Sequence, residues 1–218
     1  YIEREKLGMP VGKQDQYAAA FGGLNHIAFT REKVTVEPLR VTPETRDALQ
    51  EGLMLFFTGS SRRSSTILRQ QKQASEQDDR ATIKHLRAIK NLGSDIRSAL
   101  EQGDLDAFAD LLHRSWMEKR ELTDGITNPF LDRCYDSARE AGALGGKVTG
   151  AGGGGFLMLF CPVERQPAVK EALRDFGLQY RPFRFDADGV QVLQAVPWSY
   201  SQVSSDYRWL QYQLPAQG

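Results

Sequence analysis

Cysteine is scarce. The 218 residues hold two, Cys134 and Cys161, too few and too far apart for a disulfide framework or a zinc-binding spacing. A reducing compartment is the expectation. Excess charge is absent too: 28 basic and 28 acidic side chains cancel. That excludes a protein that holds nucleic acid by electrostatics, which needs a strongly basic surface. No apolar run approaches the roughly 18 residues that cross a bilayer, and no secretory leader pattern is present. Histidine is limited to His26, His85 and His113, none with a second ligand at metal spacing. The first residue is Tyr1 rather than Met, inside a segment with helical character, so a longer polypeptide is expected.

The apolar fraction is that of a folded protein, and the length suffices for one large or two small domains. Residues 2–7 favour helix up to Gly8 and Pro10, and 16–21 favour a second helix ended by Gly22-Gly23. Leu24–Thr30 and Lys33–Glu37 have strand character. Pro38, Thr42 and Pro43 mark a loop, and a domain boundary is placed near residue 42. Leu53–Thr58 reads as a central strand. Residues 62–121 read as two helices divided at Gly103-Asp104, with Ile83, Leu86 and Ile89 in the core. Phe130–Ala141 is a further helix and Phe156–Cys161 a buried strand. Pro162–Phe176 is a helix, and Tyr180–Asp186 with Val190–Val196 reads as a hairpin around Ala187-Asp188-Gly189. The fold class is therefore α+β, with helices packed on a mainly antiparallel sheet. The expected division is 1–42 as the remainder of one domain and 43–218 as a second.

Two loops carry chemistry. Seven of the eleven residues Gly145–Gly155 are glycine, directly before the strand at Phe156. Glycine is entropically costly, so the cluster implies close backbone approach, and successive N–H groups can cradle phosphate oxygens. It is not a Walker A loop, because Lys147 precedes the glycines and a strand follows them. The second loop, Gly12-Lys13-Gln14-Asp15-Gln16-Tyr17, sets a carboxylate beside an ammonium and two amides at a helix start. Asp15 there is either a helix cap or a general base kept ionised by Lys13.

Together, Gly12–Gly23 and Lys147-Val148-Thr149-Gly150-Ala151-Gly152-Gly153-Gly154-Gly155-Phe156 resemble the GHMP kinases. Within them the resemblance is greatest to the bacterial sugar-1-kinases acting on D-glycero-D-manno-heptose 7-phosphate. Phe57–Arg62 with Ile67-Leu68, His113–Trp116 with Lys119, and Asn128–Asp132 leading to Gly142–Lys147 also carry it. The resemblance implies ATP and Mg²⁺ as cofactors, with the main phosphate and metal ligands in an N-terminal part preceding these residues. No metal ligand is expected within these 218. It implies that Asp15 takes the proton of the anomeric hydroxyl and that Lys13 assists. Gln14, Gln16, Tyr17, Thr58, Gly59 and Arg62 are expected on the substrate side, Arg62 at the 7-phosphate. Thr149, Gly150, Ala151, Gly152, Gly153, Gly154 and Gly155 are expected to shape the ATP site. The partners implied are a sugar phosphate and ATP, with no nucleic acid or membrane, and homo-oligomerisation stays open. The product would serve activated-heptose, lipopolysaccharide or capsule synthesis. A fucokinase-like or other sugar-1-kinase, or a non-catalytic module of the same fold, is the alternative. Without the N-terminal motifs, this stretch alone is expected to be inactive.

Overall fold

The computed structural model describes residues 6–8, 12–59 and 80–191. The expected helix at 2–7, Arg62 and the tail at 197–218 fall wholly or largely outside them. The chain begins with a short helix, α1 (Gln14–Phe21), followed by an antiparallel ribbon of β1 (Asn25–Phe29) and β2 (Val34–Pro38). Next come α2 (Pro43–Gly52) and β3 (Leu53–Phe57). A helical pair, α3 (Arg80–Gln102) and α4 (Leu105–Arg120), precedes α5 (Pro129–Glu140). β4 (Gly145–Val148), β5 (Phe156–Phe160), α6 (Gln166–Asp175) and β6 (Gln179–Tyr180) complete the order. The second sheet runs β4-β5-β3-β6, and every pairing in it is antiparallel. The α+β expectation holds.

The helix boundaries follow from capping chemistry. Thr42 accepts the Thr45 N–H ahead of Pro43 in the first turn of α2. Asp104 does the same for Ala107 at the start of α4, just after Gly103 ends α3 at φ +76°. Asn128 accepts two N–H groups, from Phe130 and Leu131, at the start of α5. The Pro43 segment, expected as a loop, is thus helical, because Thr42-Pro43 is a start signal rather than a break.

Alternation along the strands divides the apolar side chains between two clusters. Met54, Phe56, Leu157 and Leu159 join Leu131, Tyr135, Val169 and Leu173 from α5 and α6. Leu53 and Phe160 join Leu49, Ala99, Leu100, Phe108, Ala109 and Leu112 from α2, α3 and α4. Both cysteines are buried thiols in or beside the first cluster, as expected of small apolar residues. The buried stripe of α3 runs through Thr82, Leu92, Ala99 and Leu100. Leu86, expected in the core, lies at the margin of that stripe and is 40% exposed.

Two further expectations change. Gly145–Val148 is strand rather than loop, so the glycine-rich segment is a hairpin connection between β4 and β5. Tyr180–Asp186 does not form the expected hairpin strand, and most of its expected partner Val190–Val196 lies outside the described residues. Only Gln179–Tyr180 pairs, with Phe56 and Phe57, and residues 181–191 run without regular structure back to α1. There Gly23 N–H donates to Asp186 O at 2.8 Å and Val190 N–H to Ala20 O at 3.2 Å. The backbones of Gly22 and Gly189 are in contact with this neighbouring chain, leaving no room for a Cβ on either. Phe183 and Phe185 pack on the second cluster rather than on a strand partner.

Gly145 is the tightest point of the sheet. A Cβ there would overlap the Ala109 carbonyl of α4. Gly145→Ala is expected to destabilise the fold by about 1–3 kcal/mol in urea unfolding. Gly93, exposed in mid-α3, gives the opposite sign, because a methyl group added there would have no heavy atom within 4 Å. Gly93→Ala should gain about 0.5–1 kcal/mol.

Candidate active site

The glycine hairpin is held at three points. Thr149 N–H and Oγ1 both donate to Phe156 O, closing the strand end at 2.9 and 3.2 Å. Gly153 N–H donates to Ile126 O at 2.8 Å. Thr58 N–H and Oγ1 both donate to Gly155 O, at 3.0 and 3.1 Å. Glycine is required here for two separate reasons. Gly150, Gly152, Gly153, Gly154 and Gly155 all adopt positive φ. At Gly152 a Cβ would also stand 2.6 Å from Ile126 O. Thr58, buried at the end of β3, is therefore part of the glycine-loop assembly. Gly59 follows it at φ +76°, with no heavy atom within 4 Å of where a Cβ would stand.

Lys119, in the last turn of α4, donates from Nζ to Gly150 O at 2.6 Å. Burial, and secondarily the charge of Lys147, push its ammonium down to about 8. Lys147 is itself lowered by burial. It shares a β4 face with Gly145, the residue pressed against α4, so its side chain leaves the strand on the side of that helix. The next residue of α4, Arg120, pairs with Asp132 at 2.9 Å. Thr127 Oγ1 donates to the same carboxylate oxygen at 2.6 Å, pinning the 121–128 connection that presents Ile126. His113 and the Tyr135 hydroxyl share a hydrogen bond of 2.8 Å that ties α4 to α5. Sequence reasoning places Lys119 and Lys147 within the motifs but assigns them no role. The available signal is a lysine in the last turn of a helix and, past the next helix, a lysine three residues before Gly150.

Asp15 lies in the first turn of α1, and Lys13 occupies the N-cap position without a side-chain capping bond. Asp15 is exposed, and its carboxylate has no hydrogen-bond or ion-pair partner among the described residues. It is not the helix cap, which removes one of the two readings its position left open. Tyr17 packs edge-on against Phe29 at 5.7 Å and stacks on Phe21 at 6.2 Å, setting α1 against the ribbon. Gln14 and Gln16 are exposed on the same short helix. Among the described residues, no hydrogen bond, ion pair or ring contact joins Lys13, Gln14, Asp15 or Tyr17 to the glycine hairpin. The structure thus assembles Thr58, Lys119, Ile126 and the hairpin, and carries Asp15 on a separate element.

The ribbon against which α1 packs is anchored by Arg97 of α3. Its guanidinium meets Glu37 at 3.0 Å and His26 at 3.1 Å, two residues paired across the ribbon. Glu101 closes the cluster at 3.4 Å from Arg97. Between ribbon and α2 lies a cleft of about 660 Å³, lined by Leu39, Val41, Arg46, Gln50, Arg184 and Phe185 among others, and by neither Asp15 nor the glycine hairpin. Among the described residues, no three His, Cys, Asp or Glu side chains converge to hold a metal ion, so Mg²⁺ finds no such ligand set among them.

Residues 96–179 match the model of the GHMP kinase C-terminal domain. The D-glycero-alpha-D-manno-heptose 7-phosphate kinase of Campylobacter jejuni is 35% identical over 191 residues, 87% of this chain. The chain carries the GHMP kinase C-terminal domain. It spans 56% of that relative, and 17% of the bifunctional fucokinase/GDP-fucose pyrophosphorylase of Arabidopsis thaliana, which is 27% identical over 80% of this chain. A crystal structure of a D-glycero-D-manno-heptose 1-phosphate kinase from Bacteroides thetaiotaomicron superposes with TM-score 0.62 at 33% identity. That match covers 86% of this chain and 50% of the other. Galactokinase from Lactococcus lactis shares the fold, with TM-score 0.65 at 18% identity over 86% of this chain and 57% of the other. The GHMP C-terminal match contains α4, β4, the glycine hairpin and β5, so Lys119, Ile126 and the hairpin lie inside the matched domain, while Thr58 precedes it.

The Lys119 ammonium gives a direct check. Its titration, followed by NMR of the side-chain amine, is expected at a midpoint near 8, so the charge is lost as pH rises through that value. A midpoint near the ordinary lysine value of about 10.4 contradicts the burial of this side chain against the hairpin.

Proposed function

We propose that the full-length protein is an ATP-dependent sugar kinase that phosphorylates the anomeric hydroxyl of D-glycero-D-manno-heptose 7-phosphate. The observation that carries this is Asp15, an exposed carboxylate in the first turn of α1 with neither a capping duty nor a partner among the described residues. A general base must keep its lone pairs available for the substrate proton, and Asp15 does. The identity to the Campylobacter heptose 7-phosphate kinase supports the choice of sugar.

In this reading Asp15 accepts the anomeric proton as that oxygen attacks the γ-phosphoryl group of ATP, and the bond from the γ-phosphorus to the β–γ bridging oxygen breaks to release ADP. Lys13 holds the resulting charge, and Gln14, Gln16 and Tyr17 orient the sugar. Arg62, outside the described residues, contacts the 7-phosphate, and Thr58 and Gly59 flank it. Thr149–Gly155 supports the ATP phosphates. Phosphoryl transfer is chiefly positioning and electrostatics, so a base on one element and a phosphate-facing loop on another is a workable division. The proposed domain boundary near residue 42 falls between them, with α1 and the ribbon before it and the four-stranded sheet after it. No helix among the described residues is long and apolar enough to cross a membrane. A cytoplasmic site of action and a role in surface-glycan synthesis belong to the same proposal.

A second reading, a fucokinase-like sugar-1-kinase, is favoured by the fucokinase relatives in Arabidopsis thaliana and Bacteroides fragilis. Steady-state kinetics separate the readings. In the full-length protein Asp15→Asn should lower kcat by about 10²–10⁴ while sugar binding stays within a few-fold. Unchanged turnover removes Asp15 as the base. Heptose 7-phosphate should be preferred to unphosphorylated heptose, and Arg62→Ala should erase that preference; equal use of both sugars favours the second reading. The 218-residue chain alone, freed of host kinases, should show no ATP-dependent turnover.

A further inference from the structure

We propose that Lys119 and Lys147 form a phosphate-binding pair at the rim of the glycine hairpin. The proposal deepens the kinase reading by assigning the anion contacts at that site to two named residues.

Three observations converge. The two ammonium groups belong to different elements brought together by the Gly145–Ala109 contact, and they are near enough for Lys147 to repel a charge on Lys119. Both are half-buried, and neither meets a carboxylate among the described residues. The acids closest in sequence to Lys119 are engaged elsewhere: Glu118 with His85 at 2.7 Å, and Asp132 with Arg120. Two like charges at a half-buried site are unfavourable unless an anion is taken up. The hairpin offers matching donors. The N–H groups of Gly154 and Gly155 find no acceptor among the described residues and so remain available to an anion.

Lys119 has three N–H donors and spends one on Gly150 O, so it can hold the hairpin and an oxyanion together. Phosphate oxygens suit this arrangement because they accept several charge-assisted hydrogen bonds at once. The terminal phosphates of a nucleotide and the phosphate of a sugar share that chemistry.

The test uses full-length protein and calorimetric titration with two probes, inorganic tripolyphosphate and mannose 6-phosphate. Lys119→Met, Lys147→Met and, as a control on exposed α3, Lys84→Met are compared with wild type. Either pair variant should weaken at least one probe by about tenfold or more, with Lys84→Met unchanged. Loss for tripolyphosphate assigns the pair to the nucleotide, and loss for mannose 6-phosphate assigns it to the sugar. Affinities within twofold of wild type for both probes in both variants overturn the proposal. Where a Met variant fails to fold, wild type still decides. Saturating probe should raise the Lys119 titration midpoint, and an unmoved midpoint with both probes refutes the pair. These readouts need no turnover, so they stand or fall separately from the role of Asp15.

Discussion

The contact between Gly145 of β4 and the Ala109 carbonyl of α4 is the constraint on which the site depends. It exists because residue 145 has no side chain, and it brings a helix backbone against a strand backbone at the edge of the sheet. Further along the same helix, in its last turn, Lys119 is delivered to the Gly150 carbonyl. The connection leaving that helix delivers Ile126 to Gly153, while Arg120 and Thr127 lock it to Asp132 of α5. A hairpin rich in positive-φ glycine has high conformational entropy when free. Here each end and the middle are tied, so the loop is ordered by its neighbours rather than by its own sequence.

A second set of contacts holds the short helix that carries Asp15. No residue of α1 is buried, so the helix has no core of its own to fix it. It relies on Tyr17 against Phe29, on the close passage of Gly22 and Gly189, and on the ribbon clamped by Arg97. The charged groups of that clamp are partly exposed, and pairs of this kind contribute modestly to stability. Its geometry matters more: one guanidinium meets both strands of the ribbon at a single cross-strand pair. The Asp15 carboxylate therefore sits on an element whose placement depends on docking, while the glycine hairpin belongs to the sheet.

Much of the fold could be read from local patterns. Leu53–Phe57 and Phe156–Phe160 are apolar runs of strand length, and they pair residue for residue. Gly103-Asp104 carries both a stop and a start signal, and it separates two helices as expected. What escaped were features set by tertiary contact. Gly145 and Gly146 read as loop, since glycine disfavours strand, yet both are strand: α4 leaves no space for a side chain at Gly145, and Met158 and Leu159 of β5 leave none at Gly146. The segment after Tyr180 has the alternation of a hairpin, but Phe183 and Phe185 are drawn into the core beside Leu39 and Val41. For the site, the two motifs were visible as chemistry. The role of Lys119 was not, because nothing in the sequence shows that a helix end 31 residues earlier touches Gly150.

The proposed reaction of the full-length protein places a phosphoryl group on an anomeric oxygen. The most direct measurement is ³¹P NMR of the reaction with ATP and D-glycero-D-manno-heptose 7-phosphate. The account predicts a second sugar-phosphate resonance coupled to the anomeric proton, appearing as ADP forms. A new phosphate coupled to any other sugar proton, or release of inorganic phosphate alone, would contradict it.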